Sequence, residues 1–161
     1  MSHPPARSVT HASFTIDRIF DAPPSLVFSA FASAESKARW FVGPAEWAKS
    51  TPHQLDFRVG GREHVGGGPK GGPVHTFDAS YRDIISDERI VYVYDMYLDE
   101  TRISVSLASF ELKPEGKGTR LTLTEHGAFL DGYDNVAQRK QGTEDLLDAL
   151  VAEVHSRVSA S

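Results

Sequence analysis

The sequence predicts an α+β domain in which an antiparallel sheet packs against one long C-terminal helix. Three observations lead there. First, Val136, Lys140, Thr143, Leu147, Leu150, Val154 and Val158 recur at three- and four-residue steps, with Leu146 and Val151 broadening the stripe. This is the pattern of a helix, over about residues 131–156, with one buried face. Second, the segments before it alternate apolar and polar residues and are broken at Ser86-Asp87-Glu88, Asp99-Glu100 and Pro114-Glu115-Gly116-Lys117-Gly118. Such short turn compositions join strands that pair antiparallel. Third, Asp134, Asn135, Gln138, Arg139, Lys140 and Gln141 leave the first half of the helix polar. Gly142 within it costs about 1 kcal/mol relative to Ala. A helix that packs well only at its far end leaves room at its near end.

A chain of 161 residues is expected to form one domain that buries roughly two-thirds of its unfolded surface. We place that domain at residues 13–158, after a disordered tail at 1–12 in which Pro4 and Pro5 stand among small polar residues. Cysteine is absent, which removes disulfides, thiolate chemistry and cysteine-bound zinc and fits a reducing compartment. No apolar run approaches the roughly 20 residues that span a bilayer, and the N-terminus lacks a signal-peptide core. The expected location is therefore the cytoplasm. A net charge of −5 without a basic block argues against nucleic acid, because phosphate binding needs clustered Lys and Arg. No cofactor or metal is expected.

In chain order, Phe14, Ile16 and Phe20 mark a first strand over 13–20, ended by Asp21-Ala22-Pro23-Pro24. Pro24 suits the first turn of a short helix over 24–32, with Leu26, Val27, Ala30 and Phe31 as its apolar face. A second short helix begins at Ser33 or Ala34, has Glu35 at its positive end, and leads to Arg39-Trp40-Phe41 before Gly43-Pro44. Residues 53–59 and 61–65 are expected as strands joined at Gly60-Gly61. Gly66 to Pro73 is then a hairpin loop, because it lacks the Gly-Lys-Ser/Thr ending of a phosphate-binding loop and a strand follows it. Strands at about 74–85, 88–97, 101–112 and 118–126 complete the order of strand, two helices, six strands and helix.

Ile19-Phe20-Asp21-Ala22-Pro23, Val27-Phe28-Ser29-Ala30-Phe31, Arg39-Trp40-Phe41, Asp56-Phe57-Arg58-Val59-Gly60-Gly61-Arg62 and Gly118-Thr119-Arg120-Leu121-Thr122-Leu123-Thr124 follow one another at characteristic spacing. In this the chain resembles the SRPBCC, or START-like, superfamily, in the branch named for activators of the heat-shock-90 chaperone ATPase. The resemblance implies a helix-grip fold like that of Bet v 1: a curved sheet of about seven strands wrapped round the C-terminal helix. It also implies a cavity between them that in many relatives holds a small apolar molecule. Relatives commonly carry Trp after the helix glycine, where this chain has Thr143. The family includes lipid carriers, receptors, polyketide cyclases and chaperone regulators, so the fold implies a pocket and no particular reaction.

Candidate lining residues follow from alternation and from the family's geometry. Trp40, Phe41 and Trp47 flank Gly43-Pro44 at one rim, where Trp40 serves either as lining or as a plug for the core. His75, Phe77, Ala79 and Tyr81 share one strand face, and Ile90, Tyr92, Tyr94 and Met96 share another. Facing inward, they would make an aromatic wall suited to a ring-bearing ligand. A one-residue change of phase would exchange them for Ile84, Val91 and Val93. Phe57, Phe129 and Thr143 complete the lining.

Glu125 shares a face with Leu121 and Leu123. Buried there it must be paired, with Arg18, Arg58 or a tyrosine hydroxyl, or have a raised pKa. With a tyrosine and His75 it is a candidate for catalysis. A hairpin centred on Pro69-Lys70 would set His64 opposite His75, about 5 Å apart, but no third metal ligand accompanies them. Asp56 and Arg58, two apart on one strand, are expected to pair with each other or with a turn amide.

The leading reading is a non-catalytic protein that binds a small hydrophobic, aromatic or polyketide-like molecule between sheet and helix. The alternatives are a cyclase, dehydratase or hydrolase acting through Glu125, and a regulator of a chaperone ATPase. The last is disfavoured because no separate chaperone-binding domain is expected in this length. A strand edge near 61–65 could pair with a second copy.

Overall fold

The structure, a computed structural model, describes residues 6–41 and 47–160. Pro4 and Pro5 of the expected tail, and Gly43-Pro44 of the expected rim, lie outside these residues. Among the described residues the order is β1 (Val9–Phe20), α1 (Pro24–Ser29), α2 (Ala34–Lys37), β2 (Trp47–Leu55), β3 (Arg62–Pro69), β4 (His75–Ile85), β5 (Arg89–Leu98), β6 (Thr101–Glu115), β7 (Gly118–Leu130) and α3 (Val136–Ala160). The strands form one seven-stranded sheet in the order β1-β7-β6-β5-β4-β3-β2, and every neighbouring pair is antiparallel.

Local chemistry accounts for the helix starts. Pro24 opens α1, where its missing N–H is not needed. Ser33 caps α2 by accepting the Ser36 N–H at 3.1 Å. The long helix starts at Val136 rather than near residue 131. Asp131 and Gly132 adopt positive φ and turn the chain out of β7, and Asn135 then accepts the Gln138 N–H at 2.9 Å as the cap.

Other boundaries also differ. The first strand begins at Val9, because Val9 to Ala12 find partners in Leu130 to Gly127 of β7. Ser8 and Arg7 are tied to Asp131 as well, so the expected tail is paired from residue 7 onward. β2 runs from Trp47 to Leu55 rather than 53–59. The glycines Gly66, Gly67 and Gly68 lie within β3, and the hairpin turn is confined to Lys70–Val74. A Cβ on Gly68 would sit 2.1 Å from the Pro73 carbonyl oxygen, so close backbone approach explains this glycine better than loop flexibility. β3 is also an interior strand, flanked by β2 and β4; the edge near 61–65 expected to receive a second copy is already occupied.

The inward phase of the central strands is the one that buries Phe77, Ala79, Tyr81, Ile90, Tyr92 and Tyr94. α3 packs against β1 and buries Leu147, Leu150 and Val154 in one core with Phe20, Val27, Phe31, Trp40, Phe110, Leu121 and Leu123. This is the well-packed end. The other end, beneath the first turns of α3, is of different composition.

Candidate functional site

Two buried polar clusters interrupt the aromatic wall that the sheet turns toward the helices. The wall is continuous: Phe41 packs on Phe77 at 4.9 Å between ring centroids, Phe77 on Tyr94 at 4.9 Å and on Tyr92 at 5.9 Å, and Tyr92 on Tyr81 at 5.6 Å. Burying these rings supplies much of the local stability and leaves their hydroxyls in need of partners.

The first cluster centres on Glu63. Lys37, the last residue of α2, reaches across to its Oε1 at 2.6 Å, Tyr81 donates its hydroxyl to the same oxygen at 2.6 Å, and His53 Nε2 lies 2.6 Å from Oε2. The Lys37 ammonium lies 4.4 Å from the centroid of the Phe41 ring and within 5.9 Å of those of Trp40, Phe77, Tyr81 and Tyr92. Burial pushes the Glu63 pKa up, but the Lys37 charge and the hydrogen bonds from His53, Lys37 and Tyr81 outweigh it and hold it at about 2. Burial, then the Glu63 charge and hydrogen bond, push the Tyr81 phenol well above its usual range.

The second cluster lies at the start of α3. Arg139 donates to the Tyr94 hydroxyl at 3.0 Å, to Ser104 Oγ at 2.8 Å and to Asp134 Oδ2 at 2.7 Å. Its guanidinium sits 5.4 Å from the Phe129 ring centroid and 5.7 Å from that of Tyr94. Tyr94 in turn donates to Glu125 Oε1. Burial raises the Glu125 pKa, and the Tyr94 hydrogen bond and the Arg139 charge offset this only in part. Burial also raises the Tyr94 pKa, helped by the Glu125 charge and opposed by Arg139. Beside them, Ser106 Oγ is buried with no hydrogen-bond partner among the described residues.

The candidate residues distribute unevenly over these features. Phe77, Tyr81, Tyr92 and Tyr94 form the wall, with Met96 half-buried beside it. Tyr94, Glu125 and Phe129 converge on Arg139. Trp47 stacks on His75 at 4.6 Å, and burial lowers the His75 pKa against the opposing charges of Asp134 and Asp99. Trp40 is buried and donates to the Ala30 carbonyl at 2.9 Å; it plugs the packed end. Phe57 packs against Phe28 and Tyr81. Thr143 returns its hydroxyl to the Arg139 carbonyl at 2.7 Å.

The expected His64 and His75 pair does not form: the register sets His64 opposite Asp78 and His75 opposite Gly67. Glu125 takes a tyrosine partner, Tyr94, whereas Arg18 pairs with Asp148 at 2.9 Å and Arg58 with Asp56 at 2.8 Å. Among the described residues no group of three or more His, Asp or Glu could hold a metal, and no helix is long and apolar enough to cross a membrane.

Sequence reasoning missed Lys37, His53, Glu63 and Arg139. A signal existed for one of them: Glu63 shares the phase of Val65, a residue that packs on the core.

Among curated proteins no match is found, but solved structures resemble the chain over nearly its whole length. An uncharacterised protein from Rhizobium leguminosarum, solved at 1.9 Å, is 41% identical over 94% of this chain and 99% of its own, with a TM-score of 0.88. A protein from Rhizobium loti is 44% identical over 91% and 99%, with a TM-score of 0.83. An AHSA1-like protein from Aeromonas hydrophila is 18% identical over 91% and 94% with a TM-score of 0.70, a likeness of fold alone. The profile of the "activator of Hsp90 ATPase homolog 1-like protein" family matches residues 21–155. With that match and the seven-stranded sheet closed by a C-terminal helix, the chain belongs to the AHSA1-like branch of the SRPBCC superfamily and has its helix-grip fold.

Proposed function

We propose that this protein binds a small, largely hydrophobic, ring-bearing molecule between the sheet and the first half of α3. The observation that carries the reading is the unlike composition of the two ends of the sheet–helix interface. At the far end α3 packs on the sheet with Leu147, Leu150 and Val154. At the near end it contributes Arg139 and Thr143, set against an aromatic wall, a buried Glu125 and a Ser106 hydroxyl without a partner among the described residues. Binding sites of this kind are mostly apolar with a few converging polar groups, whereas a core built for stability alone fills such space with aliphatic side chains.

The test is a titration of the purified chain with naphthalene- and anthracene-based ligands, followed by fluorescence of Trp47, whose ring stacks on His75. Saturable binding is expected, and its absence with every ligand class would remove the reading. The raised pKa of Glu125 beside a phenol and a guanidinium favours a second reading, in which a protonated Glu125 acts as a general acid on the bound molecule. In that case Glu125→Gln abolishes turnover and leaves binding intact; equal turnover in the variant excludes it.

A further inference from the structure

Arg139 is held by three acceptors, and they are not equivalent. Tyr94 and Ser104 are neutral and belong to strands β5 and β6; Asp134 alone brings a negative charge, and it comes from the turn between β7 and α3. That turn is built to redirect the chain, with Asp131 and Gly132 at φ of 56° and 75°. The Asp134 carboxylate also accepts the adjacent Asn135 N–H at 2.8 Å, a bond within its own turn. The side chains of Arg139 and Asp134 are 10% and 13% exposed, so both charges of the pair sit just inside the surface. Rings of Phe129 and Tyr94 flank the guanidinium. In low-dielectric surroundings a planar guanidinium binds a planar carboxylate through two parallel hydrogen bonds.

We propose that the ligand of this site carries a carboxylate, and that Asp134 is the internal stand-in it displaces from Arg139. This rests on the ligand-binding reading given above and adds the chemical class of the ligand. The ligand's ring or chain would lie along Phe77, Tyr94 and the stacked pair of Trp47 and His75, and its acid group would meet Arg139 where Asp134 now does. Tyr94 and Ser104 keep the guanidinium in place during the exchange, so only the turn from Asp131 to Asn135 has to move.

The experiment compares 2-naphthoic and decanoic acids with their primary amides by calorimetric titration of the full chain, wild type and variants. The acids are expected to bind at least about tenfold more tightly than the amides, a difference of about 1.4 kcal/mol. Asp134→Asn should tighten the acids several-fold and leave the amides unchanged. Arg139→Gln should remove the preference for acids; Arg139→Lys, which keeps the charge without the planar fork, serves if the first variant does not fold. Acids and amides binding alike to the wild type, or acid affinity unaltered in Asp134→Asn, would overturn the proposal while leaving a ligand site in place. Binding of neither acids nor amides to any variant would overturn the proposal together with the reading on which it rests.

Discussion

The charge of Lys37 is the residue-level feature that most needs a physical account. A buried ammonium loses its hydration, and the loss is tolerable only with a close counter-charge and satisfied donors. Glu63 supplies the counter-charge at 2.6 Å, and the surrounding ring faces add favourable electrostatics. Breaking such a pair from one side leaves the other charge uncompensated. Lys37→Met should therefore lower stability by about 3–5 kcal/mol, and adding Glu63→Gln should recover most of it. Urea unfolding of the two single variants and the double variant measures this; additive losses would show that the two side chains do not act as a pair. Nothing local in the sequence marks Lys37 as buried, since it follows Glu35 and Ser36 in a polar helical turn. Its partner comes from a strand 26 residues away.

At the scale of the element, α3 divides at Gly142 and Thr143, neighbours that face different ways. Gly142 is exposed, no atom lies within 4 Å of the place a Cβ would take, and its φ is not positive. It therefore does not face the sheet, and Thr143 and Arg139 are the polar side chains that this part of α3 turns inward. Gly142→Ala should raise stability by up to about 1 kcal/mol without affecting ligand binding. Thr143→Trp, on the inward stripe with Leu147 and Leu150, should leave the fold intact and compete with ligand. Thermal unfolding and the fluorescence titration read both, and equal binding by the Trp variant would place the ligand elsewhere. The stripe is visible in sequence, but the side chain it turns inward at its start is not. Periodicity admits Arg139 or Lys140 equally, and Arg139 takes the place because Tyr94, Ser104 and Asp134 surround it, while Lys140 stays exposed near Glu144.

Among the described residues the two buried carboxylates, Glu63 and Glu125, give opposite pH dependences. Glu63 has a folded pKa of about 2 against an ordinary value of 4.5. Its contribution is complete above pH 4.5 and is lost as the pH falls from there toward 2. A difference of that size corresponds to roughly 3 kcal/mol. Glu125 is raised above 4.5, so its folded state holds the proton more tightly, and stability falls as the pH rises from its ordinary value through its folded pKa. Chemical unfolding across about pH 2–8 should show a steep acid loss that Glu63→Gln flattens, and a shallow loss on the alkaline side of 4.5 that Glu125→Gln removes. An acid limb unchanged in Glu63→Gln would show that other groups govern acid unfolding.

The sequence by itself determined the class of fold and the strand, two-helix, six-strand and helix order, and left two phases open for β4 and β5 until burial chose between them. These follow from local signals, the period of apolar residues and the chemistry of turns, which act within a few residues. Only the tertiary structure decided which strands lie side by side at the glycine run, that β3 has no free edge, and that Val9 to Ala12 belong to the sheet. It alone brought Lys37 to Glu63 and Arg139 to Tyr94 and Ser104. The reason is physical: a hydrogen bond between elements depends on the register and curvature of strands far apart in the chain, and a polar residue shows no sign in its own neighbourhood of the partner that allows its burial.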